Sequence, residues 1–163
     1  MTQVANTVLV VGSLHYDIMV DADHLPRRDE TAVGSRWYPK FGGKGGNQAV
    51  SAQAHGAVGR MLGAVGADDF GLFLRARLAD SGVDHRFVTT CDDVGSGMSV
   101  AITDANGDYA ATIVSGANQR IALETLQNPE LWRDVGLLVL QNEVPEAINL
   151  AAAQAARGRG IRT

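Results

Sequence analysis

Continuous apolar runs alternate with stretches of helical spacing along this chain, and that alternation predicts most of its elements. Thr7 to Val11 is an unbroken, largely β-branched run that ends at Gly12. Such a run suits a strand buried on both faces of a parallel sheet. Val58 to Val65 repeats the pattern, interrupted by Gly59 and Gly63, and Val135 to Gln141 predicts a third buried strand. Between them, Asn47 to His55 is rich in helix formers and small residues that allow close packing on a sheet, with a stop at Gly56. Leu72 to Ser81 predicts a second helix, entered through Asp68 and Asp69 and left through Gly82. Pro145 at a first helical position predicts a third over Glu146 to Arg157, ended by Gly158-Arg159-Gly160. Ile161 reads as the start of a further strand.

Other segments are less apolar. His15 to Asp21 alternates loosely, as a strand with one wet face does. After a turn at Leu25 to Asp29, Thr31 to Tyr38 predicts another exposed strand, closed by Pro39. Phe87 to Thr90 predicts a short strand. Ser99 to Thr103 and Ala111 to Ser115 flank Asn106-Gly107, a strong hairpin signal. Leu123 to Leu131, broken by Pro129, predicts short helical pieces, and Phe41 to Gly46 is expected to be irregular. Together these readings imply an α/β fold, a doubly wound and mostly parallel sheet with a small antiparallel flap.

Composition narrows the class. The 163 residues, 45% hydrophobic and 20% charged, suit one soluble domain over 1–163. A formal net charge of -4 argues against a nucleic-acid partner, which needs a basic surface. The apolar run at Val8 to Val11 is too short for a signal segment or a membrane span, so no membrane partner is expected. One cysteine, Cys91, excludes an intramolecular disulfide and suits a reducing compartment, hence a cytoplasmic location. It reads as a small structural residue. The histidines at 15, 24, 55 and 85 lack metal-ligand spacing, so no metal site is expected.

The candidate chemistry clusters around glycines. Phe41-Gly42-Gly43-Lys44-Gly45-Gly46-Asn47 precedes a helix, where bare backbone and helix N-terminal N–H groups can meet a ligand. Lys44 is followed by Gly45 rather than Ser or Thr, so this is not a Walker A loop. Gln48 stands where a dinucleotide fingerprint needs its third glycine. The segment therefore reads as a ligand-facing loop of unstated specificity or as a flexible surface loop. Asp17, just past the first strand, is placed either to accept from a ligand hydroxyl or to cap a turn. His15 either donates to a ligand or fills a polar pocket. Glu143, past the third buried strand, either faces a ligand or caps the following helix. Ser96-Gly97 and Gly116-Ala117-Asn118 bracket the hairpin and are turn residues first.

In combination these pieces resemble the ribokinase branch of the PfkB carbohydrate-kinase family. The resemblance is carried by Gly42-Gly43-Lys44-Gly45-Gly46-Asn47-Gln48-Ala49-Val50, then Gly56-Ala57, then Gly63 to Gly71. Gly12-Ser13 to Asp17, Ser115 to Asn118 and Gln141 to Pro145 follow the family's order. The likeness spans nearly the whole chain but only the first half of the family's usual length. It implies an ATP-dependent kinase acting on a sugar hydroxymethyl group, with MgATP as cosubstrate. His15, Asp17, Gly43, Lys44, Gly45, Gly46, Asn47 and Glu143 would bind the sugar. Segments at about 15–39 and 95–117 would form a β-flap that closes over it and pairs two subunits into a homodimer. Two departures stand out. His15 occupies a position where the family usually has asparagine, which puts a ribose preference in question. The family's Gly-Ala-Gly-Asp segment, source of the catalytic base and anion hole, does not occur in these residues, and the nucleotide pocket is expected outside them. The chain by itself is therefore expected to be inactive, with no catalytic residue assigned. The alternative is a non-catalytic sugar-binding or dimerising protein.

Overall fold

The computed structural model describes residues 6–163. A parallel sheet of four strands forms the centre: β1 (Thr7–Val11), β4 (Val58–Gly66), β5 (Asp84–Cys91) and β8 (Val135–Leu140), in the spatial order β5-β4-β1-β8. The alternation inherent in a strand divides its side chains between two layers. Leu9 and Val11 face helix α3 (Glu146–Gly158) and the 3₁₀ turns at Leu123–Gln127 and Pro129–Trp132. Val10 faces the opposite layer with Leu74 and Leu78 of α2 (Asp69–Asp80) and Ala49 of α1 (Lys44–Ala54). Both faces of β1 are thus buried, which is why its sequence is apolar without alternation. Arg162 bridges to Leu137 in parallel, on the far side of β8 from β1.

A second sheet in the order β3-β2-β6-β7 stands beyond the ends of the first. It comprises β2 (His15–Ala22), β3 (Gly34–Gly42), β6 (Met98–Thr103) and β7 (Tyr109–Val114). The expected all-antiparallel flap is corrected at one pairing, because β2 runs parallel to β6 while β2–β3 and β6–β7 are antiparallel. The base of this flap is tied down by hydrogen bonds. Leu14 N donates to Asn118 Oδ1 at 2.8 Å, and Asn118 Nδ2 returns to Leu14 O at 2.9 Å. Ser96 Oγ donates to Asp68 Oδ1 and accepts from Gly66 N. The Tyr16 ring stacks on Phe70 of α2 with centroids 4.1 Å apart, which fastens β2 to the helical layer.

Two boundaries differ from the sequence expectation. β3 does not stop at Pro39 but runs through it to Gly42. It is an edge strand, where a residue lacking N–H is tolerated. The glycine segment is also more regular than expected. Only Gly43 separates β3 from α1, and Lys44, Gly45 and Gly46 are helical.

Candidate functional site

The order of the central sheet reverses at β1: the chain passes from β1 to β4 and β5 on one side and returns to β8 on the other. The crevice outside the carboxyl ends of β1 and β8 is where an open α/β sheet accepts a ligand. Gly12-Ser13 follows β1, Gln141 to Glu143 follow β8, and Gln141 Nε2 spans the gap to Val11 O at 2.9 Å.

Helix α1 closes this crevice from one side. Gly43 is its N-cap at φ 88°, a left-handed conformation that side chains disfavour, and a Cβ there would come within 2.6 Å of Ser13 O. Gly45 lies as close to the chain after β1: a Cβ on it would sit 2.7 Å from Gly12 C and Ser13 N. Gly45 and Gly46 are buried, and neither lines the cavity described below. Their place in the site is to let the helix start approach the strand end. The first amides of α1 are already engaged. Lys44 N donates to Glu143 Oε2 at 3.1 Å, Gly45 N to Ser13 Oγ at 3.5 Å and Gly46 N to Ser13 O at 2.9 Å. These amides do not fit a phosphate cradle, so the nucleotide is not assigned to this loop.

Strand β2 projects alternate residues into the crevice. His15, Asp17 and Met19 line it, whereas Tyr16 turns to α2. Pairing register sets Lys40 of β3 and Ser99 of β6 beside Asp17. Ser99 Oγ donates to Asp17 Oδ1 at 2.6 Å. Asp17 is therefore a mid-strand residue held from the flap, not a turn cap.

Glu143 faces it from the β8 side. It does not cap α3, whose N-cap is Pro145. Its carboxylate accepts from Ser13 Oγ at 2.6 Å and from the Lys44 backbone N–H, and it pairs with Lys44 Nζ. Burial would raise the Glu143 carboxyl, but the Lys44 and Ser13 hydrogen bonds outweigh it and bring the pKa down from 4.5 to about 2. A depressed carboxyl contributes stability above its ordinary value of 4.5 and loses it as pH falls toward about 2. The stability difference between the wild type and Glu143→Gln is therefore expected to be full at pH 6 and to shrink across that window. Urea unfolding at a series of pH values checks this; a difference that stays constant down to pH of about 2.5 would rule out the assigned ion pair.

His15, Asp17, Gly43, Lys44, Asn47 and Glu143 meet at one cavity of about 500 Å³. Its floor is polar, and its wall is the flap, where Met19, Ala101 and Ile113 face inward. Sequence reasoning missed Ser13, Ser99 and Lys40. Ser13 was adjacent to a strand end, a usable signal. Ser99 and Lys40 reach the site only through the pairing of β2 with β6 and β3, which no local pattern encodes.

A cavity at the switch point of an α/β sheet, under a flap, is where such a fold takes a small ligand, and the chain belongs to the pfkB family of carbohydrate kinases, whose family model matches residues 5–162. Among relatives, a ribokinase from Bacillus subtilis is 35% identical over 143 residues, covering 85% of this chain and 47% of the relative. A deoxyribokinase from Salmonella typhi is 30% identical over 138 residues, covering 84% and 45%. The structure of Arabidopsis thaliana ribokinase complexed with ribose and ATP superimposes with a TM-score of 0.85 at 29% identity, covering 96% of this chain and 51% of that one. The chain spans about half the length of the relatives it matches.

Proposed function

We propose that this chain carries the sugar subsite of an ATP-dependent kinase that phosphorylates a sugar hydroxymethyl group. The observation that carries the reading is the convergence of Asp17, Lys44, Asn47 and Glu143, drawn from a strand, a helix start and a loop, on one cavity. Carboxylates accept from sugar hydroxyls, and ammonium and amide groups donate to them. The ribokinase relatives and the ribose and ATP bound in the Arabidopsis structure support the same substrate pair. MgATP is the proposed cosubstrate, placed outside the glycine loop because the amides there are taken. Phosphoryl transfer depends on positioning and on stabilising the developing charge. Both carboxylates here already hold protein partners, and neither is assigned as the base.

The 163-residue chain is therefore expected to bind sugar without transferring phosphate to it. Titration with D-ribose, followed by backbone amide shifts of Gly43 to Asn47, tests the first half of that statement. Incubation with ribose and MgATP, assayed for sugar phosphate, tests the second. Absence of any sugar-induced shift would remove the sugar subsite. Turnover by the chain alone would mean that the base lies within it.

A second reading, a protein that binds sugar or pairs through its flap, draws support from the flap's outer face. Register places Ile18, Val20, Trp37, Pro39, Val100 and Ile102 together on the side away from the cavity, and Trp37 is 66% exposed. An apolar face of this kind suits a homodimer built flap to flap. Among the described residues no helix is long and apolar enough to cross a membrane, and a cytoplasmic location is proposed with the rest.

A further inference from the structure

The two strand ends that open the crevice are joined by one side chain. Backbone pairing between β1 and β8 runs as far as Val11 beside Leu140. In the next peptide unit of β1, Gly12 N donates to Leu62 O of β4 at 3.0 Å. A trans peptide sets its N–H and C=O on opposite sides, so Val11 O points the other way, toward β8, past the last backbone pair. A buried carbonyl left there without a donor would cost free energy. Gln141 Nε2 supplies the donor at 2.9 Å. The side-chain amide thus continues a ladder that the backbone has ended.

Gly12 makes the room for it. Its φ is not positive, so backbone conformation does not demand glycine at this position. Space does: a Cβ on Gly12 would lie 1.8 Å from Gln141 Nε2 and 2.8 Å from Gly45 Cα. The other end of the same amide acts on its own loop. Gln141 Oε1 accepts from Glu143 N at 3.2 Å, and Gln141 O accepts from Asn149 Nδ2 of α3 at 2.9 Å. The loop is therefore tied to β1 through a side chain and to α3 through a carbonyl. From this fixed base Glu143 reaches back across the gap to Ser13 Oγ and to Lys44. Gln141 is not among the residues lining the cavity, so whatever it does for a ligand it does through Glu143.

Building on the sugar reading above, we propose that Gln141 is the positioning residue for Glu143: its amide, seated in the space that Gly12 leaves, locks the two strand ends together and sets the Glu143 carboxylate in the cavity. A carboxylate fixed in this way meets a sugar hydroxyl without first being ordered, and preorganisation of that kind raises affinity. Without the amide, the loop is free to carry Glu143 away from Ser13 and Lys44.

The test compares the wild type with Gln141→Met at pH 7, because methionine keeps the reach of the side chain and removes both of its hydrogen bonds. In the wild type, a nuclear Overhauser effect is expected between the Gln141 side-chain amide protons and the Gly12 Hα protons. Its absence overturns the proposal without recourse to any variant. In Gln141→Met, the backbone amide protons of Lys44 and Glu143 should move upfield as their acceptors withdraw. D-ribose affinity should fall about 10-fold, as for the loss of one hydrogen bond to a charged group. A folded variant whose Lys44 amide stays in place overturns the proposal, whether or not its affinity or its melting temperature falls, because the effect then does not pass through Glu143. So does a variant that binds ribose within about 2-fold of the wild type. Either result leaves the sugar subsite standing if the wild type binds ribose. A wild type that ignores ribose, beside a variant whose Lys44 amide still moves, defeats the sugar reading and leaves Gln141 as the residue that positions Glu143.

Discussion

Replacing Arg60 with methionine is expected to lower the unfolding free energy by about 3–5 kcal/mol, the range for breaking a buried ion pair from one side. Arg60 enters the sheet at the start of β4 and is 6% exposed. Its Nε donates to Asp84 Oδ2 at 2.7 Å. Its Nη1 reaches the carbonyls of Glu130, Leu131 and Arg133, at 3.1, 2.9 and 2.9 Å. One planar guanidinium therefore ties β4 to β5 and both to the 3₁₀ turn at Pro129–Trp132. Methionine fills part of the volume but leaves three carbonyls without that donor and removes one cation from Asp84. Arg86 and Arg60 together hold the Asp84 carboxyl well below its usual range against burial, Arg86 the more strongly, so the variant keeps one of the two cations. Arg60→Lys should recover little, because an ammonium cannot reproduce the fork. Urea unfolding at neutral pH measures the effect, and a loss below about 1 kcal/mol would show that the turn is held by other contacts. Arg60 lies at the end of β4 opposite the crevice, so sugar affinity of the folded variant should not change.

Asp17→Asn should have the reverse profile, with affinity lost and stability kept. Asn is isosteric and can still accept the 2.6 Å bond from Ser99 Oγ, so the flap register has no reason to shift. The change removes the negative charge that strengthens a hydrogen bond from a sugar hydroxyl. Hydrogen bonds to charged groups contribute about 1.5–3 kcal/mol, so the affinity for ribose should fall by about 10- to 100-fold. Titration of both proteins with ribose, alongside thermal melts, makes the comparison. Binding within about threefold of the wild type would move the sugar away from Asp17, and a melt lowered with the affinity would reduce the residue to a structural role.

How far these outcomes were legible in advance varies from residue to residue. Asp17 and Glu143 stood out because each follows a buried strand, and ligand sites in such sheets gather at those ends. Arg60 gave no such signal. It lies in an apolar run, and its partners are 24 to 73 residues away. The glycine segment drew attention for the right reason, close backbone approach, but its regularity was hidden. Glycine is a poor helix former, and the close approach of Gly45 to Gly12 and Ser13, which leaves no room for a Cβ, is a property of the packed helix and strand. Pro39 misled in the same way, since its cost depends on whether the strand lies at an edge.

The linear order of residues determines what local physics can read: which segments are buried strands, where Asp68 starts a helix, where Asn106-Gly107 turns a hairpin. It also carries the family signature around Gly42 to Gly71. The tertiary structure alone decides which strands become neighbours, and with them the contents of the site. The pairing of β2 with β6 places Ser99 on Asp17, and the return of β8 beside β1 places Glu143 against Ser13 and Lys44. The buried Nε2 of His15, without a hydrogen-bond partner among the described residues, belongs to the same category, because burial and the absence of a partner are properties of the packed surroundings. Side-chain chemistry is local to a residue; the desolvation and the partners that give it a use come from chain segments up to 130 residues apart.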